Sequence, residues 1–221
     1  MPNYNDPVGA LKESLEKLKL DYVDMYLIHW GFNTLNEEGT AFKKIPLYKI
    51  WEAMEECVEQ GLTKHIGVSN FSCQLLIDML SYSKIQPANN QIELHPYMQQ
   101  PELVKFCLDN KISLTAFSPL SAPGRQAGGI EGGSALEDPV IKEIAKEVGK
   151  TAAQVTLAWN IHRQVCVIPK CSSLKRGQEN IASVQVELSD DQMERLGQID
   201  KNERIFDPIN WSFALNVPYF K

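Results

Sequence analysis

The chain has 221 residues, 43% hydrophobic, 23% charged and 9% aromatic, with a formal net charge of -6. This is globular composition, and it excludes disordered, collagen-like and coiled-coil classes. The acidic balance, without any Lys/Arg-rich run, argues against a nucleic-acid partner, because neutralising phosphates needs clustered positive charge. At ~100 to 200 residues per domain the length suits one large domain or two small ones, and it falls slightly short of the ~250 residues of a typical α/β barrel.

In chain order, the first seven residues have neither a basic nor an apolar run, so no secretory leader is expected. Asp6 can cap a helix with Pro7 at its first position, and Val8, Leu11, Leu15 and Leu18 share one face. Residues 22–28 are rich in β-formers and read as a buried strand ending in His29-Trp30. After a polar loop (residues 31–45), Leu47, Ile50, Trp51, Met54 and Val58 recur at helical spacing until Gly61. A second strand spans 65–68 and ends at Ser69-Asn70, Ser72 caps the next helix, and a third strand covers 88–93. Pro101 opens a helix ending near Asn110, and residues 112–117 form a fourth strand stopping at Ser118-Pro119. Residues 121–137 hold five glycines and read as a long mobile loop. Asp138-Pro139 starts a helix ended by Gly149, Thr151 caps another through Trp159, and 165–168 is a fifth strand before Pro169-Lys170. Ser189-Asp190-Asp191-Gln192 is a capping-box sequence for a last helix carrying Met193, Leu196 and Ile199.

No stretch approaches the ~18 apolar residues of a membrane span, so a soluble, cytoplasmic protein without a membrane partner is expected. Five scattered cysteines and four histidines form no C-x-x-C or H-E-x-x-H pattern, and no metal is expected. Alternating strands and helices imply a parallel sheet covered by helices, in one domain (1–221). A barrel and an open doubly wound sheet both fit. The dinucleotide-binding version of the latter loses ground, since no G-x-G-x-x-G follows a strand.

Each strand ends in groups able to hydrogen-bond or stack: His29-Trp30, Ser69-Asn70, Gln91 with Glu93, Phe117-Ser118, and Lys170. In parallel α/β proteins these ends line one face, where barrel enzymes carry their chemistry. An imidazole such as His29 can donate to a carbonyl oxygen near neutral pH. Lys170, Lys175 and Arg176 surround a helix start and suit a phosphate. Taken singly, each residue also fits a plain role, a packed histidine or a solvated turn.

Together these segments resemble the aldo-keto reductase family. The resemblance lies in Leu20 to Trp30 (LDYVDMYLIHW), Ile66-Gly67-Val68-Ser69-Asn70-Phe71, Asn90-Gln91-Ile92-Glu93-Leu94-His95-Pro96-Tyr97, Ala116-Phe117-Ser118-Pro119-Leu120 and Val167-Ile168-Pro169-Lys170. The tail, Arg204 to Trp211, is similar to that of xylose-reductase-like members. The resemblance implies a TIM (β/α)8 barrel that binds NADPH (or NADP+) and reduces aldehydes or ketones to alcohols. By matched position, His29 orients the substrate carbonyl, with Trp30 and Trp211 beside the substrate. Ser69, Asn70 and Gln91 hold the nicotinamide carboxamide, and Phe117 stacks on its ring where tyrosine is usual. Ser118 and Leu120 follow the pyrophosphate. Lys170, Cys171, Ser172 and Arg176 surround the 2′-phosphate, with Glu179 and Asn180 at the adenine. Trp211 and Phe213 make the substrate side aromatic.

Three departures accompany the match. Cys171 stands where serine is common, and Gly31 where proline often follows the His-Trp pair. The third is large: nothing matches the segment that carries the family's proton-donor tyrosine with its aspartate and lysine. About five of eight βα units are expected, the first three missing, as in an N-terminally truncated reductase of impaired activity. The alternative is a non-catalytic nucleotide-binding protein that self-associates through open strand edges.

Overall fold

The computed structural model describes residues 6–33, 35–36, 40–121, 134–211 and 215–220. Five strands, β1 (Val23–Ile28), β2 (Thr63–Ser69), β3 (Asn89–Glu93), β4 (Ser113–Phe117) and β5 (Val165–Val167), form one sheet in chain order. β1 pairs parallel with β2, with Ile28 opposite Val68, and β4 pairs parallel with β5, with Ala116 opposite Val167. Such pairing needs a crossover between successive strands: α1 (Pro7–Leu18) precedes β1, the crossovers carry α2 (Leu47–Glu59), α3 (Cys73–Tyr82), α4 (Pro101–Asp109), and α5 (Pro139–Glu147) with α6 (Ala152–His162), and α7 (Leu174–Ile181) and α8 (Asp190–Gly197) follow β5.

The expected caps form. Asp6 accepts from Gly9 N–H, Ser72 from Leu75 N–H and Asp138 from Val140 N–H. Thr151 and Ser189 each build a full capping box, with Gln154 and Gln192. Where boundaries differ from the sequence expectation, partners across space explain the difference. β2 starts two residues earlier because Thr63 pairs with Val23. α6 runs past Trp159 to His162, one turn further, with Ile161 inside it. α8 ends at Gly197, leaving Ile199 beyond it. Of the expected glycine-rich loop, residues 122–133 lie outside the described residues, and its end is ordered as a 3-10 turn, Ala135–Glu137, capped by Ser134.

The chain divides into two compact units. The first comprises Met1–Asn90, Lys105–Ser113 and Pro208–Lys221, and the second Gln91–Val104 and Leu114–Asp207. In the first, Leu11, Leu15 and Cys57 pack with Val8, Val23, Tyr26 and Leu62, while Trp51, Ile66, Phe71, Leu76 and Met79 are buried. Burying a large apolar side chain stabilises by roughly 1.5–3 kcal/mol, so these positions carry much of this unit's stability. Two polar groups are buried there with partners. Trp51 Nε1–H donates to the Ile85 carbonyl at 3.0 Å, and the Glu55 carboxylate accepts from Lys84 and Ile85 N–H at 2.7 and 2.9 Å. In the second unit Ile92, Leu114, Ala116, Ile141, Ile144, Leu157, Trp159 and Leu196 are buried.

Among the described residues no helix is long and apolar enough to cross a membrane, and no group of His, Cys, Asp and Glu could hold a metal ion.

Candidate functional site

In the first unit, the parallel register that sets Ile28 opposite Val68 makes His29-Trp30 and Ser69-Asn70 the residues leaving two neighbouring strands at the same level. Asn70 joins them. Its Nδ2 donates to the His29 carbonyl at 3.0 Å and to Ser69 Oγ at 3.1 Å. Its backbone sits at φ 64°, a left-handed conformation that Asn tolerates better than most residues. The turn is fixed from behind by Asn90, fully buried, whose side chain accepts from Phe71 N–H at 3.3 Å and donates to the Phe71 carbonyl at 2.9 Å.

That leaves one group unspent. Asn70 Oδ1 is buried without a hydrogen-bond partner, and an orphaned buried acceptor costs roughly 1–3 kcal/mol. A ligand amide N–H₂ would remove that cost, so Asn70 fits the carboxamide of a nicotinamide. Ser69 is also buried. His29, by contrast, is exposed as a residue, yet the protein packed around its imidazole pulls its pKa below the ordinary histidine value by desolvation. At neutral pH the ring is therefore uncharged, with one nitrogen a donor and the other an acceptor.

Trp30 centres an aromatic cluster. Its ring lies 5.3 Å from Trp211 and 5.4 Å from Tyr219, both edge-to-face, and 5.5 Å from Phe32. The tail therefore reaches the His-Trp strand end through Trp211, while Phe213 lies outside the described residues. Tyr219 is half of a latch: its Oη accepts from Gly31 N–H at 3.0 Å. A Cβ on residue 31 would stand 2.5 Å from that oxygen and 3.0 Å from Leu75 Cδ1. Glycine is thus needed for space, and a proline there would also remove the donor.

In the second unit, Gln91 lies on β3 and Phe117 ends β4, both partly buried. The Phe117 ring lies 5.6 Å from Phe206 at 78°. Ser118 and Ser121 have positive φ, 49° and 58°, and Ser121 N–H donates to the Ser118 carbonyl, closing a tight turn around Pro119 and Leu120. Ser121 Oγ is buried without a partner, a hydroxyl that a phosphate oxygen could accept from.

Beyond β5, Lys170, Cys171, Ser172 and Arg176 are all exposed. Ser173 Oγ accepts from Arg176 N–H, starting α7 directly after them. Neither Lys170 nor Arg176 belongs to an ion pair among the described residues, so both cations beside this helix N-terminus are available to an anion. Glu179 is partly committed: one oxygen accepts from Thr151 Oγ at 2.5 Å, and its carbonyl accepts from Gln154. The Asn180 carbonyl accepts from Ser183 Oγ.

Each set forms around its own turn, one at the ends of β1 and β2, the other after β4 and β5. Sequence reasoning missed Asn90, Tyr219 and Ser121 as parts of these sets. A signal for Asn90 exists, an uncharged amide inside an otherwise buried strand. None exists for Tyr219, which meets its partner 188 residues away.

Comparison with known proteins gives a consistent result. The family model described as Aldo/keto reductase family matches residues 4–201. An NADP-dependent D-sorbitol-6-phosphate dehydrogenase of Malus domestica is 39% identical over 89% of this chain and 68% of its own length. An aldo-keto reductase family 1 member A1 of Xenopus tropicalis is 37% identical over 97% of this chain and 68% of its own. The solved aldose reductase of Giardia lamblia superposes with a TM-score of 0.86 at 36% identity, covering 100% of this chain and 76% of that one. An aldo-keto reductase of Bombyx mori solved with NADP gives 0.85 at 32% identity, over 96% of this chain and 68% of that one. The chain thus spans about two thirds of the length of these relatives.

Proposed function

The chain belongs to the aldo/keto reductase family, and we propose that its 221 residues form one domain, five consecutive βα units of the family's eight-stranded barrel, that binds NADPH for the reduction of aldehydes or ketones to alcohols. The observation that carries the reading is Asn70: a side chain that ties the His29 and Ser69 strand ends together while holding one buried acceptor unused. The Bombyx mori relatives solved with NADPH and NADP support the choice of cofactor.

NADPH, when bound, supplies the hydride. The protein's part is to bind and orient. Asn70 Oδ1 and Ser69 receive the carboxamide together with Gln91, and Phe117 offers an aromatic face to the planar ring. Ser118, Leu120 and the Ser121 hydroxyl line the phosphates. Lys170 and Arg176, with Cys171 and Ser172, take the 2′-phosphate and so favour NADPH over NADH, while Glu179 and Asn180 lie toward the adenine. His29, neutral at physiological pH, donates a hydrogen bond to the substrate carbonyl oxygen and stabilises the charge that develops there. Trp30 and Trp211 give the carbonyl an apolar, aromatic surround.

The motif of the family's proton-donor tyrosine has no match among these residues, and a general acid is worth ~10²- to 10⁴-fold in rate. We therefore propose that the 221 residues by themselves bind NADPH and turn over slowly. A second reading, binding without turnover in a self-associated form, is favoured by β1: among the described residues it is one of the two edge strands of the sheet, with Met25 exposed on it and Tyr22 exposed just before it.

Fluorescence titration with NADPH and NADH, followed by nicotinamide absorbance with a panel of simple aldehydes, tests both readings. Saturable binding that prefers NADPH, with slow aldehyde-dependent oxidation, is expected. Absence of saturable binding overturns the function, and turnover at ordinary enzyme rates overturns the impairment. Binding with no turnover and a dimer by light scattering selects the second reading.

A further inference from the structure

We propose that Glu93 is a positioning residue for the cofactor-facing ring of Phe117, acting through the backbone of Ile205 and Phe206 and through the Phe206 ring. The proposal rests on the reading of Phe117 as the residue that stacks on the nicotinamide.

Glu93 ends β3 and is fully buried. An isolated carboxylate in such a place costs several kcal/mol, and it persists only when its oxygens are satisfied. Here Oε1 accepts from Ile205 N–H at 2.7 Å and meets His95 Nε2 at 3.0 Å, while Oε2 accepts from Phe206 N–H at 2.9 Å. Two consecutive backbone donors on one carboxylate fix the plane of the chain between them, and hence the direction in which the Phe206 side chain leaves. The segment is held a second time: Arg204 Nη2 donates to Gln100 Oε1, and Gln100 Nε2 donates to the Glu93 carbonyl. Arg204 lies close enough to Glu93 and Asp207 for their charges to offset part of the depression that burial imposes on its pKa.

The Phe206 ring so placed meets Phe117 edge-to-face, 5.6 Å between centroids. An edge-to-face contact restrains rotation of both rings and leaves at least one face of Phe117 for a planar ligand. Leu94, the residue after Glu93, donates its N–H to the Phe117 carbonyl at 3.4 Å. The end of β3 therefore holds Phe117 from two sides, by its backbone directly and by its ring through Phe206. Sequence gives no hint of this, because 112 residues separate Glu93 from Ile205.

The test uses the full chain with Phe117→Trp, since an indole stacked on oxidised nicotinamide produces a long-wavelength charge-transfer absorbance. Titration with NADP+ is expected to raise that band. Adding Phe206→Leu, or Glu93→Gln, is expected to cut its amplitude at saturation by about fivefold, with affinity for 2′,5′-ADP, which lacks nicotinamide, unchanged within about twofold. A band of undiminished amplitude in both double variants overturns the proposal. If Glu93→Gln does not fold, Phe206→Leu, which keeps an apolar side chain and removes only the ring, decides alone. Absence of any band in Phe117→Trp at saturating NADP+ overturns the stacking reading itself, and the proposal falls for that separate, recognisable reason.

Discussion

The turn that joins His29-Trp30 to Ser69-Asn70 and the turn that carries Lys170, Cys171, Ser172 and Arg176 solve the problem of holding a ligand in opposite ways. The first is buried and interlocked: Asn70 is tied to two neighbours, Asn90 locks the following residue, and a single acceptor is left over. The second is exposed, with the cationic side chains of Lys170 and Arg176 at a helix start and in no ion pair among the described residues. A short-range contact must be built rigid to be worth anything, because hydrogen bonds fail within a few tenths of an ångström. A charge acts over several ångströms and tolerates motion. The buried turn should therefore set geometry and the exposed one affinity and cofactor choice.

The sharpest way to break this contrast is Asn70→Gly, which keeps the left-handed backbone accessible and removes the amide. It is expected to weaken NADPH binding tenfold to a hundredfold, by about 1–3 kcal/mol, equally at low and high salt; a salt-sensitive loss would erase the distinction. Next in size, Lys170→Ala with Arg176→Ala is expected to lower NADPH affinity about tenfold at low ionic strength, with little change for NADH and a smaller effect in ~1 M salt. Comparable losses for both cofactors would assign these cations elsewhere. Gly31→Pro deletes the donor to Tyr219 and crowds its oxygen. Tryptophan emission should report a loosened tail around Trp30 and Trp211, with a stability loss of about 1 kcal/mol by urea titration; an unchanged spectrum would remove the latch.

The smallest effect concerns His29. Its folded pKa lies below the ordinary value of 6.5, so between the two the unfolded chain binds the proton more readily. Stability is then full above the ordinary value and declines as pH falls through that window. Urea midpoints of the protein and of His29→Gln, compared between about pH 7 and 5, should show a shallower decline in the variant. Identical slopes would mean that the imidazole is not desolvated.

Much of the fold was legible because it rests on local rules. Asp6, Ser72, Asp138, Thr151 and Ser189 cap the helices that their side chains announce, and Gly61 and Gly149 take the positive φ that ends two of them. Strand limits were less legible, since Thr63 joins β2 only because Val23 is beside it. Within the proposed site, strand-end position and family resemblance single out the residues that leave the strand ends. The contacts that brace them were not legible: Asn90 behind Asn70, Tyr219 on Gly31, and the hold of Glu93, itself a named strand-end group, on the Phe206 backbone.

By itself, then, the sequence determined the alternation of strands and helices, the residues that emerge at each strand end and the family they resemble, since periodicity, caps and motifs are written in neighbouring positions. Only the tertiary structure decided which polar groups are consumed and which remain for a ligand. Asn70 Oδ1 is left over because its own Nδ2 has found His29 and Ser69, and Glu93 is spent because the tail returns its amides to β3. Hydrogen-bond satisfaction in a buried site depends on every neighbour in space, and those neighbours are not adjacent in the chain.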